Sequence, residues 1–443
     1  MEAAMPTVGE RAIARLGWKA KPTQAEAVSD LINALRGKNR IIVFTAPTGA
    51  GKSGMSLAAA RWLKKSTVIA VPTIQLAEQW KKMLGVKHSL YGRQNYECRL
   101  GGTAADAPCI GGLPCLFRES CPYLMARQQC NKAVEYTTTH AFIAAAAVSH
   151  DPLLANRLII IDECHQFLEV LEESLEPTGE DNALFALYPT LSEMKNAIAD
   201  AARRNDRAAI AKLTRALKIT LATSAGVVKN GKVDIKAFFG LLGQTLVMSA
   251  TVPQELLAIA DVVVAAGQMV PAKQRPIYVQ PVGALRADNC TEYAHKIASV
   301  ILTVAARHEG TGIVHTGNTR LAEAIYNELK RSLNGRVYLA AGRERTRIIE
   351  EVRGRADAII VSPSMTMGVD FCHAKWQVVA KVPFPTKGDT SLDDAVTSFV
   401  QLYGRLVRSP EQTGVTYVLD ANIRLIEEHL PDYVRQAMFW IKS

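Results

Sequence analysis

The chain has 443 residues, too many for a single core, so two or three domains are expected. Hydrophobic residues make up 48%, ordinary for a globular protein, and no uncharged apolar run is long enough to cross a bilayer, which argues against a helical membrane protein and a membrane partner. The formal charge of +10 suits a polyanionic partner.

Glu2, Glu10 and Arg11 interrupt any apolar run near the start, so no secretory signal is expected and the expected location is cytoplasmic. Ala25 to Leu35 is amphipathic and reads as a helix. Ile41 to Phe44 reads as a buried strand, Gly54 to Leu63 as a helix, Val68 to Val71 as a second strand, and Gln75 to Leu84 as a second helix. This is the βαβ rhythm of a parallel sheet. It breaks between Tyr91 and Gln129, a stretch rich in Gly, Pro and Cys that reads as an insertion held by something other than a hydrophobic core. Five of the eight cysteines, Cys98, Cys109, Cys115, Cys121 and Cys130, lie there; in a cytosolic chain such a cluster more often holds a metal than disulfides.

The rhythm returns at Leu158 to Ile161, which runs into Asp162-Glu163-Cys164-His165. A second break, 167–243, begins acidic and becomes basic and helical (Arg203, Arg204, Arg207, Lys212, Arg215, Lys218). That charged face is either solvated or a nucleic-acid contact. Leu246 to Met248 is another strand, ending in Ser249-Ala250-Thr251. From about 275 a second α/β unit follows, with strands at Gly312 to His315, Val337 to Ala340, Ala358 to Val361, Gln377 to Val382 and Val415 to Leu419. Helical segments fall at Arg320 to Leu333, Arg345 to Arg353 and Asp393 to Val407.

Residues 41–53, IIVFTAPTGAGKS, constrain the chemistry most. A strand, a Gly-rich turn and a helix start form a phosphate cradle: backbone N–H groups of Thr48, Gly49, Ala50 and Gly51 surround phosphates, Lys52 reaches the terminal ones, and the Ser53 hydroxyl holds Mg²⁺. The turn is a variant, since Ala46 stands at the first motif position. Asp162, at a strand end, suits a water-mediated Mg²⁺ contact, and Glu163 suits orienting or deprotonating the attacking water. Gln401, Arg405 and Arg408 fall at i, i+4 and i+7, near one helical face, where guanidinium groups suit the charge on a transferring γ-phosphoryl.

Together these motifs resemble a superfamily 2 helicase, specifically the XPD/DinG group of iron–sulfur DNA helicases, over about Trp18 to Asp420. Trp18, Lys21, Pro22 and Gln24 resemble the adenine-reading motif; TAPTGAGKS resembles motif I; Val71-Pro72-Thr73, motif Ia; IDECH, motif II; MSAT, motif III; and Gly312 to Asn318, motif IV. Met367-Gly368-Val369-Asp370-Phe371 resembles motif V and is followed by Val382 to Pro385; QLYGRLVRS resembles motif VI. Tyr91 to Cys98 resembles the GRxNYxC opening of the family's cluster domain, continued as C-x10-C-x5-C-x5-C. The resemblance implies an α/β fold of two RecA-like parallel-sheet domains. It divides the chain into 1–85, 136–166 and 244–274 (first domain), 86–135 (iron–sulfur insertion), 167–243 (a short helical, arch-like insertion) and 275–443 (second domain).

It further implies ATP and Mg²⁺ as cofactors, with Trp18, Gln24 and Asp370 touching the nucleotide, and a 4Fe–4S cluster on Cys98, Cys109, Cys115 and Cys121. Structural zinc sites usually contain a close cysteine pair, and this spacing has none, so the cluster is favoured over zinc. Cys130 and Cys164 read as packed thiols. The implied activity is ATP-driven tracking on single-stranded or forked DNA by a monomer, 5′ to 3′, with the cluster domain as a wedge and Ser249 and Thr251 linking hydrolysis to movement. Thr73, Arg93, Tyr96, Thr316 and Asn318 are the candidate strand contacts. His140 stands where the family has its Asn-His histidine and is either a DNA contact or a packed residue. DECH replaces the usual DEAH, Met367 replaces an acid, and Gln412 and Asn422 take places often held by Asp and Arg. The short insertion predicts a reduced enclosure and low processivity. A zinc-containing RNA helicase or remodeller, and a clamp without turnover, are the competing readings.

Overall fold

The computed structural model describes residues 5–441 except 269, 287, 334, 353, 364–373, 385–391 and 408–410. The motif V residues 367–371 with Asp370, and also Cys372, Pro385 and Arg408, therefore lie outside the described residues. The chain divides into two compact units, residues 1–46 with 51–266, and 47–50 with 267–443.

In the first unit β1 (Ile41–Thr45), β2 (Thr67–Val71), β3 (His88–Ser89), β4 (Glu135–Thr139) and β5 (Leu158–Asp162) precede a small antiparallel hairpin of β6 (Val228–Lys229) and β7 (Lys232–Val233). β8 (Thr245–Ser249) and β9 (Val262–Ala265) complete a seven-stranded sheet of order β3-β4-β2-β5-β8-β1-β9, parallel throughout. Ile, Val and Leu dominate β1, β2 and β5 because helices cover both faces, and β2, β5 and β8 are buried at every position. The register sets Thr45 against Ser249 and Asp162 against Met248, so β1, β8 and β5 end side by side. Open parallel sheets bind ligands outside those carboxyl ends.

The second unit repeats the plan with β10 (Ile277–Gly283), β11 (Thr311–His315), β12 (Val337–Leu339), β13 (Ile359–Ser362), β14 (Ala374–Val379), β15 (Val415–Asp420) and β16 (Met438–Trp440). Its order is β12-β13-β11-β14-β15-β10-β16, again parallel. The helices Ala294–Arg307 and Thr319–Ser332 bury Ile297, Ile301, Leu321 and Ile325 in its core.

One helix ends earlier than its apolar pattern predicts. The segment expected to run to Val407 stops at Tyr403. Gly404 N–H still bonds Val400 O, but Arg405 N–H bonds Leu402 O at 3.2 Å, the tighter i−3 bond of a terminal turn. Gln401 and Arg405 thus do not share a continuous helical face.

The 167–243 region forms the helices Gly179–Leu187, Leu191–Arg203 and Arg207–Ser224, with Ile235–Leu241 after the hairpin. It packs on the cysteine-rich segment: Ile110 and Leu113 join Ala197, Ile198, Ala201 and Leu213 in one apolar cluster. Arg207 donates to Leu100 O at 3.0 Å and Gly101 O at 2.6 Å and pairs with Asp106 at 3.4 Å. Lys212 pairs with Glu180, and Arg215 with Asp181 and the carbonyls of Glu173 and Glu176. Arg207 and Arg215 are therefore spent inside the protein, whereas Arg203, Arg204 and Lys212 stay exposed. The cysteine-rich segment is likewise held by ordinary contacts: Leu90, Ala104, Tyr123 and Cys130 enter the main core, and Arg127 grips Asp151 through two 2.7 Å hydrogen bonds.

Candidate nucleotide site and cysteine centre

Thr45 closes β1 and the chain turns through 46–51 into the helix Lys52–Trp62. Gly49 and Gly51 adopt φ of 81° and 85°, left-handed values that side chains disfavour, and the turn closes with Ala50 N–H on Pro47 O. Such a turn aims successive N–H groups at one point, as an anion cradle requires. Thr48 lies within it. Trp18 and Gln24 flank the cradle. A Cβ added to Gly54 would lie 2.0 Å from the Trp18 ring, and one on Gly51 would lie 3.2 Å from Gln24 Nε2. Gln24 Oε1 also accepts from Lys21 N–H.

Lys52 is 9% exposed and its Nζ donates to Ala46 O at 3.2 Å. Ser53 Oγ donates to Asp162 Oδ2 at 3.3 Å, joining the loop after β1 to the end of β5. Asp162 Oδ1 accepts the Glu163 N–H at 3.0 Å. Burial and then the adjacent Glu163 push the Asp162 carboxyl up, against the pull of Lys52. Lys52, Ser53 and Asp162 are the donor set that a Mg²⁺–phosphate pair needs, and a divalent cation would favour the ionised carboxylate. Glu163 has φ 51° and ψ 54°, a left-handed conformation costing on the order of 1–2 kcal/mol for a non-glycine residue. Ser249, at the end of β8, donates to Glu163 Oε2 at 3.4 Å and lies 3.0 Å from His165 Nδ1. Through Ser249 the 248–251 segment thus touches the 162–165 segment directly, and Thr251 N–H donates to Ser249 Oγ.

His140 is packed rather than exposed. It is 1% exposed, with Nε2 2.8 Å from Asp162 O, and burial pushes it down to about 3. One residue escaped the sequence reading: Trp80 Nε1 donates to Asp162 Oδ2 at 3.1 Å.

The candidate strand contacts sort unevenly. Thr73 caps the helix Ile74–Leu84 through Leu76 N–H. Arg93 is exposed and lies over the Tyr123 ring at 4.6 Å. Tyr96 is half-buried, edge-on to Tyr123, and its hydroxyl accepts from Tyr91 N–H. Thr316 is fully buried and donates to Asn318 O and Ser362 O, which corrects its placement among surface contacts. Asn318 caps the helix Thr319–Ser332 through Leu321 N–H.

In the second unit Gln401 is buried at 8% exposure, and Arg405 lies in the turn after its helix. His315, at the end of β11, is 4% exposed, 3.1 Å from Gln377 Oε1, and Gln377 Nε2 donates to Thr416 Oγ1. Burial pushes His315 down to about 3; Gln377 opposes this and the Arg405 charge adds to it. A neutral buried histidine supports the fold fully above its unfolded value near 6.5. That contribution falls by about 1.4 kcal/mol per pH unit as pH drops below 6.5 toward 3. His315→Asn should flatten the decline of the second unit's urea midpoint between pH 7 and pH 5.

Cys98, Cys109, Cys115 and Cys121 line a single cavity of about 560 Å³ with Arg93 and Tyr123. Burial raises the Cys109 thiol, as does the proximity of the other three, while Arg93 lowers it. Among the described residues no three Cys, His, Asp or Glu side chains converge as ligands of one metal ion. The four thiols surround a space rather than a point, whereas tetrahedral zinc with Zn–S near 2.3 Å would need sulfurs about 3.8 Å apart. Cys130 and Cys164 are buried with no exposure, as packed thiols.

Residues 18–176 match the family "Type III restriction enzyme, res subunit". No curated protein matches the chain by sequence. Among solved structures, an XPD helicase aligns with TM-score 0.65 and 14% identity, covering 96% of this chain and all of the other. S. tokodaii Xpd4 aligns at 0.56 and 13%, covering 95% of this chain and all of its own. The DEAD-box helicase Mss116 bound to ssRNA aligns at 0.53 and 14%, covering 99% and 79%. The protein thus shares its fold, two units each built on a seven-stranded parallel sheet, with these XPD structures. Among the described residues no helix is long and apolar enough to cross a membrane.

Proposed function

We propose that the protein is an ATP-dependent DNA helicase that tracks along single-stranded DNA, 5′ to 3′ by resemblance. The observation that carries the ATPase reading is the Ser53–Asp162 contact of 3.3 Å, which brings the phosphate loop and the strand-end acid together. Lys52 would bind the terminal phosphates, Ser53 and Asp162 would hold Mg²⁺, and Glu163 would orient the attacking water. Held by Ser53 and Asp162, Mg²⁺ would supply neutralisation of the phosphate charge. Trp18 and Gln24 would read the base, and Ser249 would relay the state of Glu163. By resemblance, Gln401, Arg405, Arg408 and Asp370 serve the same nucleotide.

Cys98, Cys109, Cys115 and Cys121 would hold a 4Fe–4S cluster in the 86–135 segment, stiffening it as a strand-separating wedge. Their shared cavity supports this. Leu116 and Phe117, 97% and 40% exposed between the third and fourth cysteines, suit contact with unstacked bases. The 167–243 helices would act as a reduced arch.

The test is ATP hydrolysis with poly(dT) or poly(U), followed by unwinding of forked DNA. DNA should stimulate turnover at least about tenfold more than RNA and lose its effect as salt rises. Preference for RNA would favour an RNA remodeller; tight strand binding without any turnover would favour a clamp.

A further inference from the structure

We propose that Trp80 is a positioning residue of the nucleotide site, holding the Asp162 carboxylate in the orientation that receives Mg²⁺. The proposal rests on the ATPase reading of that site. Thr73 caps the helix Ile74–Leu84, and the apolar pattern then turns Ala77, Trp80 and Leu84 inward. The indole is 2% exposed, yet its N–H is not wasted: Nε1 donates to Asp162 Oδ2 at 3.1 Å. A buried indole N–H without a partner would cost on the order of 1–3 kcal/mol, so the pair is mutually fixed.

The Asp162 group is held at every polar atom. Oδ1 takes the Glu163 N–H, Oδ2 takes Trp80 and Ser53, and the main-chain oxygen meets His140 Nε2. Of these, the Ser53 hydroxyl is the one assigned to turn toward a metal when Mg²⁺ binds. Once it turns, Trp80 is the side chain still fixing the rotation of the carboxylate. Outer-shell donors of this kind are worth about 10- to 100-fold in metal affinity or activity.

Trp80→Phe keeps a buried aromatic ring and removes only the donor. The Mg²⁺ concentration for half-maximal ATPase should rise about tenfold, while KM for ATP at saturating Mg²⁺ moves less than about threefold. Trp80→His, which restores a ring N–H, should recover part of the shift. A second measurement uses the unaltered chain, whose five tryptophans give separate ¹⁵N-indole signals. One exchange-protected indole N–H should shift on adding Mg²⁺ alone and shift again in Asp162→Asn. If wild-type protein hydrolyses no ATP, the ATPase reading fails. Hydrolysis with an unchanged Mg²⁺ midpoint in folded Trp80→Phe overturns the positioning role, as does an indole spectrum indifferent to both Mg²⁺ and Asp162→Asn.

Discussion

Lys52→Ala should lower strand-stimulated ATP hydrolysis by at least about a hundredfold, the loss expected when a donor to a developing phosphoryl charge is removed. Lys52 begins its helix where the left-handed Gly51 ends the turn, and its ammonium is tied to Ala46 O in the same loop. Alanine leaves the backbone cradle intact and removes the Lys52 ammonium from it. The Ser53–Asp162 contact does not depend on that ammonium. Folding should therefore be retained, and so should strand binding, whose charge comes from elsewhere in a +10 chain. Phosphate release and fluorescence anisotropy on labelled poly(dT) separate the two effects. A variant that hydrolyses ATP like its parent would remove Lys52 from the site.

The sheets were legible because both faces of a parallel strand are buried, so Ile41 to Phe44 and Leu158 to Ile161 read as unbroken apolar runs. β4 carries the sequence EYTTT and gave no such signal, although Thr137 and Thr138 are wholly buried. Their β-branched shape suits a strand, and polarity hid them. The short strands β3 and β16, of two and three residues, have too few positions for any period. Lys52, Ser53, Asp162 and Glu163 stood out because a Gly-rich turn after a strand and an acid pair at a strand end are short local patterns, and the fold brings Ser53 and Asp162 together. Trp80 did not, since a tryptophan on a buried helical face reads as core, and only the fold reveals which acceptor its N–H meets. Thr316 misled for the converse reason: buried hydrogen-bonded positions and strand contacts draw on the same small polar residues. Arg207 and Arg215 showed charge at helical spacing, but their partners are remote in sequence or are main-chain carbonyls, which composition does not display.

Cys98→Ser should abolish iron binding and DNA unwinding while leaving part of the ATPase. Cys98 sits in a tight loop braced without its thiol: its N–H bonds Gly102 O at 3.0 Å, its carbonyl accepts from Gly101 N–H, and Glu97 bridges Thr103. Arg207 pins the carbonyls of Leu100 and Gly101 from the helical insertion. Serine therefore changes the ligand, not the loop, and its hydroxyl does not replace a thiolate toward iron. ATP hydrolysis survives in part because Lys52, Ser53 and Asp162 are fixed by β1 and β5, not by the cysteine segment. Cys130→Ser is the matched control. That thiol is fully buried and pushed up to about 12 by burial, so it is a packing group; its loss should lower stability by about 1–2 kcal/mol and leave iron content unchanged. Iron and sulfide per chain, measured on anaerobic preparations, decide the matter. Equal iron in Cys98→Ser and wild type would remove Cys98 from the ligand set, and equal loss in both variants would point to general destabilisation. Iron lost in Cys98→Ser alone, with unwinding gone and ATPase partly kept, would tie strand separation to the cysteine segment and ATP turnover to the strand ends.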